Sequence, residues 1–147
     1  MFKVSKLTDY GTMLMTEMAH QPQKVFSAAE LAKSVHLTSG TVSKLLKILA
    51  KQGLLTSYQG KSGGYRLSKR PEHINLAEVI SALEGPIAIT ECSEHDSHCD
   101  IESLCHTRRN WQKINQIIYR DLSKVSLAEM LRPIVPLPAK ENIILRA

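Results

Sequence analysis

Apolar residues recur along the first half of this chain at the spacing of helix faces. Leu7, Leu14 and Met18, with Met15 beside them, fall near one side of a segment from about Thr8 to His20, which predicts an amphipathic helix; Pro22 stands just past its end. Ser27 and Glu30 make an S-x-x-E capping box that opens a short helix from Ala28 to about Val35, followed by a turn at His36-Leu37. Thr38 or Ser39 then caps a third helix ending near Gln52. Its apolar positions Val42, Leu45, Leu46 and Leu49 sit at i, i+3, i+4 and i+7, while Gly40, Ser43, Lys44, Lys47 and Lys51 take the other side. Gly53 stands where a C′ glycine belongs.

The period then changes. Leu54–Tyr58 and Tyr65–Ser68 read as short strands around a loop, Gln59-Gly60-Lys61-Ser62-Gly63-Gly64, that holds three glycines. Pro71 ends that region, and Leu76, Val79, Ile80 and Leu83 mark one face of a helix over Leu76–Glu84, stopped by Gly85-Pro86. Residues 90–105 break the pattern: few are apolar, five are acidic and none is Lys or Arg. A long helix follows from about His106 to Val125, with Trp111, Ile114, Ile118 and Val125 along one stripe and Ile117 and Leu122 beside it; Ser126 caps a last helix to Arg132. Pro133, Pro136 and Pro138 predict a flexible tail over 133–147. The fold class expected is mainly α, a winged helix-turn-helix with a two-stranded wing, a cysteine loop and a long C-terminal helix. The chain divides into residues 1–75, 76–132 and 133–147.

Charge sharpens that division. Residues 1–75 carry 11 Lys/Arg against 4 Asp/Glu, a balance of +7, and residues 76–147 carry 8 against 10, a balance of −2, giving the overall +5. A basic first half points to a polyanion partner. Two helices joined by a tight turn, the second with a basic outer face, suit the major groove of double-stranded DNA. Ser39, Thr41, Ser43 and Lys44 are candidates for base edges, Lys47 for phosphate, and Gly40 for close approach of the backbone. The glycine-rich hairpin supplies a wing, with Gln59, Lys61 and the neighbouring Ser62 as its contacts. The apolar runs fall short of the roughly 18–20 residues of a membrane span, and MFKVSKLTDYG lacks the apolar block of a secretory signal. A cytoplasmic protein with no membrane partner is expected.

Three cysteines, spaced Cys92-x6-Cys99-x5-Cys105, fall in the coreless segment. This is not the paired C-x2-C of a common zinc site. Three thiolates on one loop can converge on one centre, and soft sulfur favours an iron–sulfur cluster or zinc; a thiol–disulfide switch and inert thiols are the other readings. With no fourth cysteine, a fourth donor would be His, Asp, Glu or water. No phosphate-binding glycine loop or nucleophile–base spacing supports an enzyme; Cys105 and His106 are adjacent, and neighbours rarely point at one substrate.

The ordered set KLTDYGTMLM, HLTSGTVSKLLKILAKQGLL, GKSGGYRLS, LAEVISALEG, three cysteines and NW in a long helix resembles the Rrf-two (Rrf2) family of bacterial regulators, which includes IscR and NsrR types, over about residues 1–132. Within the family the resemblance is nearest to regulators of the SUF iron–sulfur assembly genes. It implies a homodimeric winged-helix repressor whose long helix crosses its twin, with Trp111, Ile114 and Ile118 at the seam, and which reads a palindromic operator. It also implies an iron–sulfur cluster, 2Fe–2S or 4Fe–4S, on Cys92, Cys99 and Cys105. IscR types take the fourth ligand from a histidine three places after the third cysteine, where this chain has Arg108; NsrR types take it from an aspartate early in the first helix of the partner subunit, which matches Asp9 here. His106 is the second candidate, and helix-dipole stabilisation is the other role open to Asp9. The Cys92–Cys99 interval is one residue longer than usual for the family. Gln59 and Ser43 stand where IscR types carry Arg and Glu, so base preference does not carry over. The alternative signals are nitric oxide or redox state, and the alternative metal is zinc.

Overall fold

The first helix is set by a cap that the apolar pattern does not show. In a computed structural model describing residues 3–93, 99 and 104–132, α1 spans Lys6–Ala19 and starts two residues before the expected position. Ser5 is its N-cap: the Thr8 N–H donates to Ser5 Oγ at 3.2 Å. Leu14, Met15 and Met18 are fully buried, and Leu7 packs at the core margin.

α2 (Ala28–Ser34) and α3 (Ser39–Lys51) follow as expected, with Ser27 and Thr38 as N-caps. The capping box at α2 is only half formed. Ser27 Oγ accepts from the Glu30 N–H at 3.2 Å, but the Glu30 carboxylate turns to Lys24 rather than back to Ser27. His36 makes the turn between the helices at φ 54°, and the N–H of Leu37 reaches back to the Ala32 carbonyl at 3.1 Å. α3 ends in a Schellman motif: Gly53 at φ 77° donates to Ala50 and Leu54 to Leu49, both at 3.0 Å.

Strands β1 (Leu55–Tyr58) and β2 (Gly64–Leu67) pair antiparallel with Leu55 opposite Leu67 and Tyr58 opposite Gly64. A bridge from Phe26 to Tyr65 ties β2 to the chain before α2, with two N–H···O bonds of 2.8 Å. Close backbone contacts explain two wing glycines from inside the protein. A Cβ on Gly64 would collide with the Phe26 carbonyl, and one on Gly63 with the Tyr58 carbonyl. Only Gly60, at φ 102°, is required by conformation alone.

After a 3-10 turn at Pro71–His73, α4 covers Leu76–Glu84, capped by a complete box between Asn75 and Glu78. A second 3-10 turn (Glu91–Ser93) precedes α5 (Arg108–Lys124), and α6 (Leu127–Met130), opened by a Ser126–Glu129 box, ends two residues before the expected Arg132. The tail over 133–147 lies outside the described residues, as do residues 94–98 and 100–103. One core joins α1, α2, α3 and the sheet to Val79 of α4 and Leu127 of α6. α5 contributes no buried residue; it packs on α4 and on the second 3-10 turn. Among the described residues no helix is long and apolar enough to cross a membrane.

Candidate nucleic-acid interface and cysteine segment

α3 buries Val42, Leu45, Leu46 and Leu49 and turns its other side outward. Ser39, Gly40, Lys44 and Lys47 are exposed; Thr41 and Ser43 are half-buried. The Thr41 hydroxyl is shared with the cap, 2.9 Å from Thr38 Oγ1. Gly40 is exposed in the first turn, has ordinary helical φ, and has nothing within 4 Å of where a Cβ would stand. No packing or backbone demand of the protein requires glycine there. Gln59, Lys61 and Ser62 sit on the exposed tip between β1 and β2. Among the described residues Lys44, Lys47, Lys51 and Lys61 form no ion pair, so their charge is unspent inside the chain.

Sequence reasoning passed over Arg66. It lies opposite Thr56 on the wing, and its guanidinium is 5.2 Å from the centroid of the Tyr58 ring, a cation–π contact that fixes a cation on the hairpin's outer face. The signal available was the alternation around buried Leu67.

The cysteines cluster around the start of α5 in part. Cys92 lies in the 3-10 turn that packs on α5; its sulfur is 3.3 Å from Thr90 Oγ1, and its carbonyl accepts from Gln112 Nε2 at 3.1 Å. Cys105 lies two residues before Thr107, the α5 N-cap. The Thr107 hydroxyl 3.3 Å from its sulfur, then the Thr107 N–H, then Arg108, hold the Cys105 thiol below its ordinary range. All three cysteines are half-buried. Asp9 is exposed on α1, on a surface shared with Thr12, Met13, Thr16, Glu17, His20 and Met130. Among the described residues no three His, Cys, Asp or Glu side chains converge as a metal site. The donor chemistry fits an iron–sulfur cluster or zinc: three thiols are available, two of them anchored toward the same end of one helix. His106 is exposed, and Arg108 supplies no ligand atom.

The structure places the three expected seam residues outside the core. Trp111 and Ile114 are 41% and 42% exposed, Ile118 is half-buried, and Ile117 adds to the stripe at 40%. Apolar side chains this open along one helix face are unusual for a chain acting alone.

A family model described as "Rrf2: Iron-dependent Transcriptional regulator" matches residues 4–133. The chain belongs to the Rrf2 family. It is 31% identical over 131 residues to protein rrf2 of Nitratidesulfovibrio vulgaris, covering 88% of this chain and 87% of that one. It is 28% identical over 131 residues to the HTH-type transcriptional regulator NsrR of Halalkalibacterium halodurans, covering 88% and 90%. Among solved structures, CymR, the global cysteine regulator of B. subtilis, superposes with a TM-score of 0.69 at 26% identity, over 89% of this chain and 97% of that one. IscR of T. potens gives 0.64 at 28% identity, over 88% and 86%. This Rrf2 protein is thus a DNA-binding transcriptional regulator with a winged-helix fold, and its relatives are regulators rather than enzymes. Rrf2 regulators are typically dimeric.

Proposed function

We propose that this Rrf2 regulator works in the cytoplasm as a homodimeric repressor of iron–sulfur assembly (SUF) genes, governed by an iron–sulfur cluster. The α5 stripe of Trp111, Ile114 and Ile118 forms the seam with a second copy. A two-fold dimer presents its two α3 helices to half-sites about one helical turn apart, on the order of 34 Å or a multiple. Ser39, Thr41, Ser43 and Lys44 face base edges, Lys47 and the wing residues Gln59, Lys61 and Ser62 face the backbone or minor groove, and Gly40 lets the helix sit close. In this reading residues 1–75 carry the DNA contacts and residues 76–132 carry the sensing and pairing.

Cys92, Cys99 and Cys105 would hold the cluster, with the partner subunit's Asp9 as fourth ligand. When bound, it supplies a redox- and iron-responsive centre. The observation that carries this reading is that Cys92 and Cys105 both lie toward the N-terminal end of the helix whose apolar stripe is exposed. Ligation there and pairing of subunits would therefore share one element. The family's description as iron-dependent supports the same choice of metal.

The test is anaerobic purification with absorption spectroscopy and iron, sulfide and zinc analysis, joined to gel shifts of loaded and metal-free protein and of Asp9→Ala. An iron- and sulfide-containing protein whose operator affinity changes about 10–100-fold on metal loss, a coupling of about 1.4–2.8 kcal/mol, is expected. Colourless protein with stoichiometric zinc rejects the cluster and leaves DNA binding intact. Asp9→Ala with full cluster and full response rejects the partner ligand. Promoter occupancy in cells separates control of assembly genes from a nitric-oxide response.

A further inference from the structure

α5 has a second working face. One residue on from Trp111 and from Ile114, the amides of Gln112 and Asn115 meet the chain that runs from α4 to the cysteines. Asn115 Nδ2 donates to the Ile87 carbonyl at 2.9 Å, and its Oδ1 accepts from the Ile89 N–H at 3.1 Å. Gln112 Nε2 donates to the Cys92 carbonyl at 3.1 Å. A neighbouring parallel strand would bond to a C=O and an N–H two residues apart in this way, so the Asn115 amide stands in for a strand around Ala88. Residues 87–90 belong to no helix or strand, and backbone groups there depend on such side-chain partners. Gln112 and Asn115 are three apart and therefore share one side of the helix.

We propose that Gln112 and Asn115 are positioning residues that clamp residues 87–92 to α5 and so set where the Cys92 thiol stands relative to the helix bearing the apolar stripe. Neither touches the sulfur; each acts through the backbone that carries it. The inference rests on the reading of Cys92 as a ligand, and it adds a coupling: a shift of α5 along its seam carries Cys92 with it.

The experiment measures alkylation of each cysteine by iodoacetamide in reduced, metal-free, full-length protein, resolved by mass spectrometry, for the native chain and for Asn115→Leu, Asn115→Asp and Gln112→Met. Asn115→Leu removes both bonds and is expected to raise Cys92 alkylation about tenfold, the effect of one to two net hydrogen bonds, with Cys105 unchanged. Asn115→Asp still accepts from Ile89 but no longer donates to Ile87 and should fall between. After anaerobic reconstitution with iron and sulfide, Asn115→Leu should retain iron about 10–100-fold more weakly, the usual effect of removing an outer-shell partner. Its metal-free form should still unfold in one cooperative transition, with Tm lower by only a few degrees, and keep native affinity for non-specific duplex.

Unchanged Cys92 alkylation, or an equal rise at Cys92 and Cys105, overturns the clamp. If the native chain takes up no iron, the ligand reading fails by itself and the alkylation series alone decides the clamp. If Asn115→Leu does not fold, the two single-bond variants carry the same comparison.

Discussion

Replacing Gly40 by alanine separates a demand of the protein from a demand of its partner. The residue is the second of α3, exposed, with ordinary helical φ and no atom within 4 Å of the added methyl. Glycine inside a helix is less favourable than alanine by about 0.5–1 kcal/mol, and the smaller figure applies in the first turn. Gly40→Ala should therefore stabilise the free protein by about 0.5 kcal/mol, a rise in Tm of about 1–2 °C for a chain of this size. If α3 lies in the major groove with its first turn against the bases, the same methyl enters a close contact. Overpacking of a fitted contact typically costs about 1–3 kcal/mol, or about 5–150-fold in affinity. The assay is differential scanning fluorimetry for the free protein and fluorescence anisotropy against an operator recovered by selection from random duplex. A more stable protein that binds at least about fivefold more weakly is expected. Equal affinity of the native chain and the Gly40→Ala variant would refute the close approach and move the reading surface off the first turn of α3.

Gly64→Ala should do the reverse, because a Cβ there meets the Phe26 backbone rather than open space; a loss of about 2 kcal/mol and a Tm several degrees lower are expected by thermal unfolding. Lys47→Ala should weaken all duplexes about equally and reduce the slope of log Kd against log salt by about 1 unit, whereas a purely solvated lysine leaves the slope unchanged. Trp111→Ser with Ile114→Ser should convert a dimer to monomer in sedimentation and abolish tight operator binding; a dimer that persists places the seam elsewhere. The Glu84 carboxylate accepts from the Ser5 N–H at 3.1 Å and from the Thr8 hydroxyl; hydrogen bonding from the Ser5 side chain first, then from the Thr8 hydroxyl and the Ser5 N–H, holds its pKa below the ordinary carboxylate value. A depressed folded pKa gives stability that is complete above the unfolded value and lost as pH falls through the folded one. Glu84→Ala should therefore cost about 1 kcal/mol at pH 7, discounted for exposure, and the difference from the native chain should shrink as pH drops below about 4. A difference independent of pH argues that the contact does not depend on charge.

The helices are legible because each writes its apolar face and its ends into consecutive residues. α3 shows Val42, Leu45, Leu46 and Leu49 at helical spacing and closes on Gly53; α4 runs between Asn75 and Gly85 with the predicted bounds. Contacts between distant segments leave no such trace. The Phe26–Tyr65 bridge joins residues 39 apart, and Gly63 and Gly64, which read from sequence as freedom for a wing, serve close backbone packing. The Glu84 tie to Ser5 and Thr8 is equally silent in sequence, and the polar Ser5 cap leaves no mark in the apolar pattern, which therefore puts the α1 start late. At the candidate site, the lysines and thiols can be picked out by type. Arg66, Gln112 and Asn115 cannot, since their roles depend on a ring and on carbonyls brought to them by the fold.

α4 is the element through which any signal from the cysteine segment would have to be weighed against the reading head. It packs on α1, on α3 and on α5. At its C-terminal end Glu84 holds the α1 N-terminus; at its N-terminal end the Leu76 N–H bonds to Val125 at 2.8 Å and the Leu127 N–H to Ile74 at 2.9 Å, fastening the exit of α5. The core residues of α3 and α4, Leu45 and Val79, are fully buried and resist small displacements, because close-packed interiors transmit strain rather than absorb it. α5 has no buried residue and can move against α4 with far less loss. A 10–100-fold change in operator affinity requires only about 1.4–2.8 kcal/mol, the scale of two or three net hydrogen bonds. A tilt of α5 that carries Cys92 with it through Gln112 and Asn115, and exchanges bonds of that number elsewhere, is therefore sufficient in energy. Melting of the winged-helix core is not needed, so a regulatory change on this route should leave the exchange protection of α3 amides at Leu45 and Leu46 intact.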